Sequence, residues 1–350
     1  MKIAYLTSTI NPKSGWGRYA SDLISGVQAA GHETVVYTED ESGIRILSRG
    51  WRLFQSAWRL RPLLAKYDII HALDLNQSGM IVALANSEHK KFVLTALGTY
   101  SIAPLYHWKT KWISRWALNK ADFVVAISKF TQQELLKVIP TLRTKVINPG
   151  INLEKFRQTH EAQSGSLVLS VGAIKARKGY HISIPAFLEA YKQLPHLQYV
   201  IVGSQRDQAY MHRLKNIIKT NDGEGRVIFK ENISDEELKE LYRKAVIFLL
   251  TSINEGYHFE GFGLVFLEVA AAGLPVIGTL GNGIEDAVKD GYNGLLVPQN
   301  DISATTDALL KLVGDMDLWK RYSNASYEWA KKHTMSKAIQ SYLEVYAKLK

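Results

Sequence analysis

The sequence predicts an α/β protein made of two doubly wound, parallel-sheet (Rossmann-like) domains facing each other across a cleft. Three observations carry this expectation. Short apolar runs of strand length alternate with longer amphipathic stretches through the whole chain. The alternation closes near residue 150 and restarts at Ser166. With 350 residues and 46% hydrophobic content, the chain has enough apolar material for two ordinary cores. The expected domains are 1–150 and 151–330, followed by an amphipathic helix over 331–350.

Composition narrows the class. The chain has no cysteine, which excludes disulfides and thiolate metal sites and fits a reducing cytoplasm. Met1–Ser8 reads as a strand rather than a signal sequence, and no run of about 18 apolar residues exists to span a membrane. The net charge of +10 is uneven: residues 1–150 hold 19 Lys+Arg against 10 Asp+Glu, the rest 24 against 23. The positive field therefore belongs to the first half, which is expected to meet a partner. No nucleic-acid-binding module accompanies the charge, so nucleic acid is not the expected partner.

Met1–Ser8 is followed by a loop from Asn11, a helix from about Arg18 to Ala30 stopped by Gly31, and a strand over 34–37. Gly15, Gly17 and Ala20 fit the G-x-G-x-x-A dinucleotide fingerprint, and Glu39 follows at a suitable distance. That fingerprint needs its first glycine directly after the strand, and here roughly seven residues intervene. A plain turn and a longer, ligand-covering glycine loop are the other readings.

Residues 44–66 contain no acid. Read as a helix, they place Leu47, Trp51, Phe54 and Trp58 on one face and Arg45, Arg49, Arg52 and Arg59 on the other. Residues 105–120 are also acid-free, with Trp108, Trp112 and Trp116 spaced by four. Basic, tryptophan-rich helices suit an anionic membrane surface. The alternative is that both aromatic stripes pack on the domain's own sheet and only the basic residues meet water. Strands follow over 68–71, 91–95 and 121–128, with Ser128 placed to cap a helix, and 145–152 closes the first domain.

The second half opens with a strand over 167–172, ending at Gly172, and a basic loop to Gly179. In that loop Arg177 and Lys178 can neutralise a diphosphate, the first by a forked contact and the second as a point charge. Strands over 199–203 and 227–229 follow, and a loop through Asn232 and Ile233 leads to a capped helix at Asp235. A strand over 246–250 then enters the densest stretch, 254–274. There a polar, aromatic loop passes through Gly261, Phe262 and Gly263 into a helix from about Leu264 to Ala272, stopped by Gly273 before a strand at Pro275. The glycines permit close backbone approach, and the first turn offers unpaired amides at Gly263 and Leu264, which suit a phosphate. Glu268 lies roughly 7–8 Å further along the helix, where a carboxylate can hold a ribose. Glu260, ahead of the glycines, would face whatever the phosphate carries. Asp315-Met316-Asp317 has the D-x-D form of a metal site but falls between two predicted helices, with Asp317 placed as an N-cap.

The stretch resembles the signature of the family-4 retaining glycosyltransferases (glycosyl transferases group 1, GT-B architecture), E-G-F-G-L-x-x-x-E followed by glycine-, proline- and acid-bearing runs. Here Glu260 to Glu268, Ala270 to Ile277, Gly281 to Val288 and Asp290 to Val297 supply the pieces in order. The resemblance covers essentially the whole chain. It implies a metal-independent hexosyl transfer from a UDP- or GDP-sugar to a glycan or lipid-linked acceptor, with retention of anomeric configuration, in polysaccharide or glycolipid synthesis. The nucleotide-sugar is a substrate and no cofactor is expected. The C-terminal domain would hold the donor and the basic N-terminal domain the acceptor, on the inner face of a membrane, with the 331–350 helix returning to the first domain.

By the same resemblance, Gly15 and Gly17 belong to a loop closing over the donor. Gly172 and Lys178 line the phosphate loop, and the backbone of Asn232 and Ile233 faces the base. Arg177, Lys178 and the amides of Gly263 and Leu264 stabilise the leaving diphosphate, while Phe262 sits within the signature. Glu260 orients the sugar or favours its developing positive charge, and Glu268 holds the ribose. Two positions depart from the family. Ala173 stands where many members carry arginine, with Arg177 as the substitute, and Leu97 stands where a histidine is usual. His71 or Asp74, at the neighbouring strand end, would then serve the acceptor, or activity is low. Three rival functions are a binding-only homologue, a sugar-nucleotide epimerase and a dehydrogenase using Gly15–Ala20.

Overall fold

The computed structural model describes residues 1–12, 14–45, 47, 52–156 and 166–349; Arg49 and Trp51 of the first acid-free segment, and the side chain of Arg45, lie outside that description. The chain forms two compact units, Met1–Gly150 with Met335–Lys350 and Ile151–Thr334. Each is a parallel sheet between helices, the α/β class expected. No helix among the described residues is long and apolar enough to cross a membrane.

Among its described residues the first unit holds seven strands: β1 (Lys2–Thr7), β2 (Glu33–Thr38), β3 (Ile44–Arg45), β4 (Ile69–Ala72), β5 (Lys91–Ala96), β6 (Phe123–Ala126) and β7 (Thr144–Val146). Their order is β3-β2-β1-β4-β5-β6-β7, with every neighbouring pair parallel. Central β1, β4 and β5 are buried along almost their whole length because helices cover both faces. Right-handed crossovers sort those helices. Connections running from β3 towards β7 put Leu53–Leu64, Met80–Ala85 and Lys111–Lys120 on one face. Gly15–Ala29 occupies the other, packed with the C-terminal helix Met335–Leu349.

Under that C-terminal helix lies a buried polar chain. Tyr346 Oη is 2.9 Å from Tyr5 Oη and 2.7 Å from His71 Nδ1. His71 Nε2 is 2.8 Å from Thr95 Oγ1, which is 3.1 Å from Tyr342 Oη; Tyr342 in turn meets Tyr19 Oη at 2.6 Å. His71 is wholly buried, with partners on both ring nitrogens, so the acceptor-side role considered for it is corrected to a structural one. Burial holds its imidazole down at about 3. Because the folded value lies below the unfolded one, this group contributes stability above about pH 6.5 that is lost as pH falls towards 3. Acid unfolding of the first unit, followed by amide exchange, should therefore begin below pH 6.5 and steepen downwards; a His71 resonance titrating near neutrality would contradict this.

Three local expectations are corrected. The first helix starts at Gly15, not Arg18, because the Ser14 hydroxyl accepts from the Gly17 amide at 3.0 Å and caps it there. Gly15 and Gly17 therefore lie in a helical turn instead of a long loop, and a Cβ on Gly17 would sit 2.2 Å from the Asn11 carbonyl oxygen. The 44–66 segment is a short edge strand and a helix, Leu53–Leu64, which buries Ser56, Ala57, Leu60 and Leu64 and turns Phe54 and Trp58 outward. Small residues let the helix approach its neighbours closely, so the aromatic stripe is not its packing face. Asp315, not Asp317, caps the helix Met316–Ala330 by accepting from the Leu318 amide.

The second unit holds β8 (Leu167–Val171), β9 (Gln198–Val202), β10 (Val227–Lys230), β11 (Ala245–Leu249), β12 (Val276–Thr279) and β13 (Gly294–Val297). Their order is β10-β9-β8-β11-β12-β13, again parallel throughout. Strands are added outward from β8 in one direction and from β11 in the other. The order thus reverses between β8 and β11.

Candidate active site

Open parallel sheets take ligands at the carboxyl ends of the strands flanking such a reversal, because the two loops there diverge and leave a crevice. After β8 the chain passes Gly172 and makes one tight turn, Ala176–Lys178, ended by Gly179 at φ 71°. After β11 it runs through 250–263 into the helix Leu264–Ala271. The Thr251 hydroxyl donates to the Gly179 carbonyl at 2.7 Å, and the Ile253 amide donates to the Arg177 carbonyl at 2.9 Å. A third loop, after β12, joins them: the Asn254 side-chain amide donates to the Gly281 carbonyl at 2.7 Å, and the Gly283 amide to the Glu260 carbonyl at 2.9 Å. A Cβ on Gly283 would lie 2.0 Å from the Gly261 carbonyl oxygen, so this contact admits only glycine.

These stitches bring together charges distant in sequence. Glu260 Oε2 lies 2.5 Å from Lys178 Nζ, 3.2 Å from Arg177 Nη1 and 3.4 Å from the Ser252 hydroxyl. The three charged side chains are only 12–16% exposed. Burial would raise the Glu260 carboxyl, but the Lys178 and Arg177 charges and hydrogen bonds overcome it and hold the group down at about 2. Nearby Lys175 is lowered, first by burial and then by the Arg177 and Lys178 charges. Three cations thus converge here, with the Glu260 carboxylate bonded to two of them and the Glu255 charge also acting on Lys175.

Gly263 (φ 79°, ψ 59°) is the N-cap of the helix Leu264–Ala271, and no side chain caps the first-turn amides. Phe262 is buried, so its ring belongs to the core. Glu268, four residues into the helix, is also buried and accepts from the Tyr242 hydroxyl at 3.1 Å. Asn232 (φ 56°) and Ile233 follow β10, two strands from β8. Their loop is tied to the one after β9, where the Gln205 amide donates to the Glu231 carboxylate at 3.1 Å, and not to the charged cluster.

Gly15, Gly17, His71 and Asp74 belong to the first unit. Asp74 follows β4, at the carboxyl edge of that sheet, where Oδ1 accepts from the Leu75 amide at 2.7 Å and the Ser101 hydroxyl at 2.8 Å. The Ser101 oxygen also accepts from the Leu97 amide at 3.0 Å. Burial pushes the Asp74 carboxyl up to about 7, against the pull of those hydrogen bonds. Ser101, Ser252, Lys175 and Tyr242 escaped the sequence reading because single serines, lysines and tyrosines carry no spacing signal. Among the described residues, no group of His, Asp and Glu side chains is arranged to hold a metal ion.

Comparison with known proteins gives the family and the fold. The "Glycosyl transferases group 1" family matches residues 152–329, and "Glycosyltransferase Family 4" matches 13–155. An uncharacterised glycosyltransferase of Methanocaldococcus jannaschii is 26% identical over 81% of the chain and 76% of its own length. The GDP-mannose-dependent alpha-(1-6)-phosphatidylinositol monomannoside mannosyltransferase of Mycolicibacterium smegmatis is 26% identical over 64% of the chain and 62% of its own length. In structure the chain matches HepE of Anabaena in complex with UDP, with a TM-score of 0.85 at 19% identity, covering 99% of this chain and 100% of that one. The fold is therefore that of the GT-B glycosyltransferases, and the chain belongs to the glycosyl transferases group 1.

Proposed function

We propose that the protein is a retaining, metal-independent hexosyltransferase that takes its sugar from a UDP- or GDP-sugar and passes it to a hydroxyl of a glycan or lipid-linked glycan. The observation that carries this reading is the cluster of Arg177, Lys178 and Glu260 beside the uncapped helix start at Gly263. Breaking the bond between the sugar and a diphosphate leaves negative charge on the departing oxygens. Arg177, Lys178 and the amides of Gly263 and Leu264 are preorganised to stabilise that charge. Glu260 occupies the cations while the site is empty; on donor binding it yields them to the phosphates and turns to the sugar. Glu268 holds the ribose, with the Tyr242 hydroxyl orienting its carboxylate. The bound UDP of the Anabaena neighbour and the GDP-mannose of the mycobacterial relative keep two bases in view. That relative's phosphatidylinositol mannoside acceptor supports a lipid-linked substrate here.

A thermal-shift series with UDP-, GDP- and ADP-sugars, run with a chelator, should single out one donor. That donor should be slowly hydrolysed without acceptor, and Glu260→Ala should abolish the hydrolysis. Failure of all three to stabilise the protein would remove the donor assignment. A binding-only homologue is the second reading, favoured by Leu97 in place of the usual histidine; stabilisation with no hydrolysis and no transfer would select it.

On the acceptor side we assign Asp74, which is joined through Ser101 to the segment carrying Leu97. With its carboxyl pushed up to about 7, the kcat profile of the wild type should bend near neutrality. Asp74→Asn should flatten the bend while leaving the donor-induced thermal shift intact; a bend that persists in the variant excludes the role.

A further inference from the structure

We infer that one face of the first unit docks on an anionic lipid bilayer, using two sequence-distant segments that the fold packs against one short helix. The helices Leu53–Leu64 and Lys111–Lys120 both pack against the short, almost fully buried helix Met80–Ala85. All three lie on the face of the sheet opposite the C-terminal helix, as the crossover sense requires. Their inward rows are small or aliphatic: Ser56, Ala57, Leu60 and Leu64 on one helix, Ser114, Ala117 and Leu118 on the other.

The aromatic residues point out. Phe54 is 58% exposed, Trp58 78%, Trp108 72%, Trp112 72% and Trp116 38%. Phe54 and Trp58 stand four apart on one helix and Trp112 and Trp116 on the other, with Trp108 in the turn before it, an amount of exposed apolar surface that a monomer in water gains nothing from displaying. Each tryptophan of the second segment has a lysine beside its ring: Lys109 over Trp108 at 5.0 Å, Lys111 over Trp112 at 5.3 Å and Lys120 over Trp116 at 5.9 Å.

Charge selects the occupant. Segments 52–66 and 99–120 contain no aspartate or glutamate, while Arg52, Arg59, Arg61, Lys66, Lys109, Lys111, Arg115 and Lys120 lie in them. A protein partner of ordinary mixed charge would meet no carboxylate to pair with its own lysines. Tryptophan with flanking lysine matches the headgroup layer of a bilayer, where indole straddles the boundary and the ammonium meets lipid phosphate. The attraction to anionic lipid is short-ranged and screened by salt. This docking face is independent of the donor chemistry, and it would bring the first unit to the layer where a lipid-linked acceptor resides.

The test is flotation of the full chain with phosphatidylcholine vesicles, with and without phosphatidylglycerol, at low and high salt, alongside intrinsic tryptophan emission. Binding to the anionic vesicles at low salt, with a blue shift and a loss of about ten-fold or more at high salt, is the expected result. The double variant W58S/W112S should reduce binding by about ten-fold or more while keeping the wild-type melting temperature and donor shift, since both side chains are solvent-facing. Three results would overturn the inference: no binding to anionic vesicles at low salt, binding unchanged in the variant, or a soluble dimer that the same variant dissociates. A preference for nucleic acid over anionic vesicles at equal salt would also overturn it.

Discussion

Glu260→Gln should lower transfer turnover by about a thousand-fold and yet tighten binding of the nucleoside diphosphate product by about ten-fold. The two effects move in opposite directions because one carboxylate serves two states. In the structure it neutralises Arg177 and Lys178, both largely buried, and an incoming diphosphate must displace it. Glutamine keeps the shape and removes the charge, so the cations wait uncompensated for an anion. The ligand-free variant should accordingly lose about 2–3 kcal/mol of stability at neutral pH, because breaking a buried pair strands a charge. UDP should restore much of that loss.

The pH dependence gives a second readout. The Glu260 carboxyl, held at about 2 against an ordinary 4.5, contributes stability that is complete above about pH 4.5 and vanishes as pH falls towards 2. The gap between wild type and variant should narrow over that window. Calorimetric titration with UDP decides the matter: equal or weaker binding by the variant would mean that Glu260 does not occupy the anion's cations.

Gly179→Ala should be the most damaging single methyl in the second unit, at about 4 kcal/mol and roughly 8–16 °C in that unit's melting temperature. Two costs add. The residue sits at φ 71°, where a side chain costs about 1–2 kcal/mol. The new Cβ would also lie 1.8 Å from the Thr251 carbonyl oxygen, a backbone atom fixed at the end of β11. The hydrogen bond from the Thr251 hydroxyl to the Gly179 carbonyl prevents the strands from separating to make room. Relaxation would part the Arg177 loop from the Ile253 loop, and the donor-induced thermal shift should disappear as well. Gly15→Ala is the control, since a Cβ there meets nothing within 4 Å; a helix-favouring alanine should be neutral or slightly stabilising.

The parts of the site that one local stretch encodes were legible in the sequence. The helix start at Gly263 was one of these: glycines, acids and the following strand lie within 20 residues, and helix-end chemistry is local. The pairing of Glu260 with Arg177 was not, because 83 residues separate them and only the strand order brings their loops together. His71 shows the same limit in reverse. Its sequence neighbourhood says "strand end", and what settles its role is Tyr346, 275 residues away. The acid-free helices were recognised as amphipathic, but the sequence left open whether the aromatic stripe packs inward or faces out, and the structure turns it out. Periodicity weighs tryptophan as core material, whereas close packing here selected serine and alanine.

The final helix, Met335–Leu349, completes a unit whose other elements end at Gly150. The second unit is contiguous in sequence and needs nothing beyond residue 334, whereas the first needs Tyr342 and Tyr346 from the far side of it. Until they arrive, Tyr5 and Tyr19 lack their hydroxyl partners and His71 lacks the one at Nδ1. The first-translated half is therefore the last to mature, and a nascent chain arrested before residue 335 leaves it exposed to chaperones and proteases.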